Sequence, residues 1–132
     1  LEAAIPTLDI TDVEKKSLIG ECAFIKAYNY FALVRRYGGV PLVKELQEYE
    51  GDVEILKVPR STEKESWDYV LELFDKAIEN LPQSWSDNQR RATVWAAYAY
   101  KSRAALHAAS IAKYWNEYPF SGEAVGEPSE SA

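Results

Sequence analysis

The sequence predicts an all-α fold in which antiparallel helices stack as repeats into an α-α superhelix. Two observations carry that prediction. Apolar residues recur at steps of three and four over three separate stretches, and a threonine able to cap a helix start stands at the head of each. The breaks between stretches hold the residues that end helices, Gly38, Gly39 and Pro41 after the first and Pro82 after the second.

The first helix is expected at about 12–37. Thr11 can cap a free backbone N–H while Glu14 reaches back to it, and Ile19, Ala23, Ala27, Tyr30 and Val34 then form one apolar stripe beside a second of Phe24, Tyr28 and Phe31. So wide a face needs neighbours on two sides. From Val40 to Arg60 the pattern is short and irregular, which reads as an extended connector with brief strand-like pairing. The second helix, about 63–81, opens on another capping box at Thr62 and Glu65 and carries a clean face of Trp67, Val70, Leu71, Phe74, Ala77, Ile78 and Leu81. The third, about 93–115, starts at Thr93. Its alanines, from Ala96 to Ala112, allow another backbone to come close, which predicts that this helix lies in the middle of the bundle. After Trp115 the composition shifts to Gly, Pro, Ser and Glu, so residues 1–121 are expected as the helical domain and 122–132 as a disordered tail or truncated loop.

Composition narrows the function. The chain has 132 residues, 47% hydrophobic and 13% aromatic, enough for one folded core. A net charge of −6 gives no footprint for a phosphate backbone, so nucleic acid is excluded as a partner. The basic pairs Lys15-Lys16, Arg35-Arg36 and Arg90-Arg91 read as solvated helix-face or loop charges. One cysteine and one histidine provide neither an internal disulfide nor an ordinary zinc site, and no metal or cofactor is expected. No stretch reaches the ~20 apolar residues of a membrane span, and no signal-peptide pattern stands at Leu1. Without an initial Met, the chain reads as an excised or processed piece.

Repeat spacing sharpens the fold class. Val70, Phe74, Ala77 and Pro82 occupy the intervals of the small residue, aromatic, alanine and proline in the second helix of a tetratricopeptide unit, with Val70 the one departure in size. Ala23, Lys26, Ala27 and Tyr30, and again Ala99, Ser102, Arg103 and Leu106, fit the first-helix positions loosely. These are the positions at which the helices of neighbouring units press together. The connector after Gly39 and the loop after Pro82 interrupt the period of about 34 residues.

Three blocks carry a more specific likeness. The run from Gly20-Glu21-Cys22-Ala23-Phe24 through Asn29-Tyr30-Phe31 to Arg36-Tyr37-Gly38-Gly39-Val40-Pro41-Leu42 resembles the most recognisable stretch of SusD/RagB proteins. Val58-Pro59-Arg60-Ser61-Thr62 leading to Ala77-Ile78-Glu79-Asn80-Leu81-Pro82 resembles the family's next helix, and Arg91-Ala92-Thr93 leading to Ser102-Arg103-Ala104-Ala105-Leu106 resembles the one after it. Cys22 and Lys26 depart from the family's usual residues. The likeness runs from about Ile19 to Tyr114, and family members are several times longer than this chain.

The resemblance implies a tetratricopeptide-like helical segment of a non-catalytic, outward-facing outer-membrane lipoprotein of Gram-negative, Bacteroidetes-like cells. Such a protein binds oligosaccharide or another nutrient and caps a SusC-type TonB-dependent transporter, with this helical part serving as scaffold and docking surface. Its lipid anchor is a cysteine outside this chain, because Cys22 stands within a helix and lacks a lipobox. Glycan contacts in the family come mostly from other segments. From physical chemistry alone, sugar binding asks for exposed aromatic platforms, and Trp85, Trp115, Tyr118 and Phe120 in loops are the candidates.

Two other functions compete with this one. An enzyme would have to use Cys22 with His107, or carboxylate pairs such as Glu45 with Glu48 or Glu63 with Glu65. We read Cys22 as a small buried thiol, His107 as a helix-surface histidine and the carboxylates as solvated. A peptide-binding adaptor would present a groove of regularly spaced Asn, Lys and Arg, for which Lys26, Asn29, Lys101 and Arg103 are the available residues.

Overall fold

A computed structural model of the chain describes residues 2–47, 51, 53–86 and 90–117. Tyr118, Phe120, Glu48 and the tail expected at 122–132 lie outside these residues. The described residues form three α-helices, α1 (Asp12–Tyr37), α2 (Glu63–Asn80) and α3 (Val94–Glu117), with 3₁₀ turns at Glu2–Thr7 and Glu54–Leu56. They contain no strand, and the connector's pairing is a single antiparallel bridge between Pro41 and Arg60. The fold is all-α.

Local chemistry starts each helix. At α1 the Glu14 amide donates to the Thr11 hydroxyl at 3.3 Å, while the Glu14 carboxylate accepts the Thr11 amide at 2.9 Å. At α2 the Glu65 amide and carboxylate make the same reciprocal pair with Thr62, at 3.2 and 2.9 Å. Each box satisfies donors that a helix start otherwise leaves to water. Thr93 accepts from the Ala96 amide at 3.5 Å, a longer cap for α3. Helix α1 ends at Gly38, whose φ of 69° lies in the left-handed region, and the Gly38 amide donates to Val34 at 2.9 Å. A side chain there would be strained.

Helices α1 and α2 run antiparallel. Gly20 near the head of α1 lies against Asn80 and Leu81 at the foot of α2, and at the opposite end the Val40 amide donates to the Ser66 hydroxyl at 3.2 Å. Helices α2 and α3 are antiparallel too, with His107 beside Trp67 and Lys101 paired with Asp75. It follows that α1 and α3 are parallel, which is the first-second-first order of helices in a tetratricopeptide-like array. They meet where Phe24 and Tyr28 pack edge-on to Tyr100.

The core lies on both flanks of α2. Val70, Phe74 and Ala77 are fully buried, facing Ala27, Phe31 and Val34 of α1 and Ala97 and Ala104 of α3. Burying a side chain the size of Phe74 contributes roughly 2–3 kcal/mol. The helix in the middle is therefore α2, not α3 as the alanine content suggested. Ala97 and Ala104 do give α2 close approach, but Ala99, Ala105 and Ala109 face outward, so small size alone did not identify the central helix. The sequence upstream of Thr11 adds a further core residue, Ile5, which the 3₁₀ turn lays against α1 at 1% exposure.

Candidate functional site

The two described aromatic candidates do not come together. Trp85 belongs to the turn between α2 and α3, where its indole N–H donates to the Ala92 carbonyl at 2.8 Å. One ring face is covered by the Arg91 guanidinium, 3.6 Å from the ring centroid. Arg91 in turn grips both oxygens of Glu21 on α1, at 2.9 and 2.5 Å. Trp115, expected in a loop, stands within the last turns of α3 near the other end of the bundle. Its indole N–H donates to Glu63 at 3.0 Å, and Tyr114 packs edge-on to it at 5.1 Å. Both rings are half-buried with their one polar handle held by protein. A single sugar platform cannot include both.

The residues an enzyme would need are apart as well. His107 packs against Phe31 of α1, nine residues beyond Cys22 and hence roughly 13 Å farther along that helix. It is not the surface histidine expected, because Phe31 and Trp67 flank its ring at 6.0 and 5.7 Å and leave it half-buried. Cys22 is half-buried rather than enclosed. Glu63, expected to be solvated, is 7% exposed and accepts the Trp115 N–H. Glu65 serves the capping box. The Thr62 amide, and then its hydroxyl, hold the Glu65 carboxyl below its ordinary value, and the Thr11 hydroxyl, and then its amide, do the same for Glu14. Both carboxylates are anions fixed at helix starts, not acids poised to donate a proton. Among the described residues no group of three or more His, Cys, Asp or Glu is arranged to hold a metal ion.

The adaptor reading fares no better. The Lys26 ammonium reaches the Lys44 carbonyl at 3.4 Å and lies over the Tyr69 ring, Asn29 donates to its own helix at Ile25, and Lys101 pairs with Asp75. Three of the four groove residues are engaged within the segment itself.

Two open grooves follow the connector. One, about 420 Å³, is lined by Leu42, Val43, Leu46, Leu56 and Val58 with Lys44, Glu45 and Gln47. The other, about 340 Å³, runs between the connector and α2 along Leu42, Lys44, Ser61, Glu65, Asp68, Tyr69 and Glu72. Its aromatic residue is not an open platform, since Tyr30 packs edge-on to Tyr69 at 5.2 Å and the Lys44 and Lys26 ammonium groups lie 5.2 and 5.7 Å from its ring. Exposed rings occur instead on α3, where Trp95 and Tyr98 are tilted together at 6.2 Å. Counting aromatic residues in loops passed over this pair, because both stand within a helical period.

Comparison with known proteins agrees with this architecture. Residues 3–106 match the family model described as SusD-like, starch-binding associating with outer membrane. Among solved structures, a SusD-like protein from Bacteroides fragilis is 42% identical with a TM-score of 0.73, the match covering 87% of this chain and 23% of that one. A laminarin-binding SusD-like protein is 21% identical with a TM-score of 0.71, covering 89% and 26%. A SusD-like carbohydrate-binding protein from Bacteroides fragilis is 22% identical with a TM-score of 0.68, covering 87% and 22%. The last two likenesses establish the fold alone. The chain thus spans about a quarter of the length of these structures. Curated proteins give no match.

Proposed function

The chain belongs to the SusD-like family, and on that premise we propose that it is the helical scaffold of a non-catalytic surface protein that binds oligosaccharide and docks on a SusC-type TonB-dependent transporter. The observation that carries this reading is the family match over residues 3–106, backed by 42% identity to a solved SusD-like protein across most of the segment. Glycan contact falls chiefly to the remainder of the full-length protein. Trp85 and Trp115 support that division of labour, because their indole N–H groups bind Ala92 and Glu63. The separation of Cys22 from His107 and the capping role of Glu65 support a protein that binds without turning over its ligand.

Outer-membrane association belongs to the same proposal. Among the described residues no helix is long and apolar enough to cross a membrane, so in this reading attachment comes from a lipid anchor elsewhere and from the transporter.

The test is made on the full-length protein. Calorimetry with starch and laminarin oligosaccharides is expected to show binding with no released reducing sugar, and co-purification with the detergent-solubilised transporter is expected to retain the pair. Saccharide hydrolysis would sink the non-catalytic reading. Failure of a folded protein to bind any saccharide and to co-purify would sink the rest.

A further inference from the structure

We draw no further inference here: the strongest candidate, the outward face of α1 on which Ile25, Leu33 and Tyr37 stand exposed, is an unpartnered apolar helix face, and nothing in the structure shows what covers it.

Discussion

Arg60 closes the end of α1 from 21 residues away by gripping Gly39: its Nε and Nη2 both donate to the Gly39 carbonyl, at 2.9 and 2.7 Å, and Nη2 also reaches the Tyr37 carbonyl at 2.7 Å. The last carbonyls of a helix have no partner within it, and a cation there also suits the negative end of the helix dipole. The connector is thereby tied to the helix it leaves.

Arg60→Ala is expected to lower stability by about 1–2 kcal/mol, the upper part of the range for charged hydrogen bonds being discounted for exposure. Arg60→Lys should recover less than half, since a single ammonium cannot hold the forked geometry. Urea unfolding with an unchanged m-value is the measurement. Full recovery in Arg60→Lys would show that only charge matters.

Gly20→Ala should destabilise, against its local tendency. In an isolated helix the change would favour helix by about 1 kcal/mol. Here the new Cβ would stand 2.8 Å from the Leu81 nitrogen and 2.9 Å from the Asn80 carbonyl carbon. Both are backbone atoms, so α1 and α2 must separate, at a cost of roughly 1–3 kcal/mol. Thermal unfolding of the variant decides the sign.

Removing the Glu21–Arg91 pair should loosen the turn after α2. Arg91→Ala uncovers one face of Trp85, and its expected signature is a red shift of tryptophan emission with a loss of up to about 1 kcal/mol, the scale of a partly exposed ion pair. Glu21→Gln should give part of the same shift. Unchanged emission in both variants would show that Arg91 does not hold the ring.

Acid should weaken both helix starts. The folded-state carboxyls of Glu14 and Glu65 lie below the ordinary value of 4.5 because of their bonds to Thr11 and Thr62. A depressed folded value means that the stabilisation is present above that ordinary value and is lost as pH falls through the lower, folded one. Glu14→Gln with Glu65→Gln keeps a capping-box residue at each place. The double variant is expected to show a shallower loss of stability below about pH 4.5, read by denaturation at a series of pH values.

What could be read along the chain is what depends on near neighbours. The capping boxes at Thr11 and Thr62 act over three residues, the apolar steps of α2 mark its buried face, and Gly38 ends α1 through its own backbone; none of these needs a tertiary contact. The blocks around Gly20–Leu42 and Val58–Pro82 were sufficient to identify the family for the same reason, since a family likeness is itself a property of the chain. Tertiary structure decided the rest, because the deciding partners are distant in sequence. Glu63 is buried by Trp115, 52 residues on, and Arg91 is drawn from a loop to Glu21, 70 residues back. His107 is flanked by rings from two other helices. Alanine content could not rank α3 against α2 as the central helix, since a small side chain permits close packing on any face but does not choose one. The face is chosen by which neighbour brings the large complementary side chains, and on the flank of α2 those are Trp67, Val70 and Phe74.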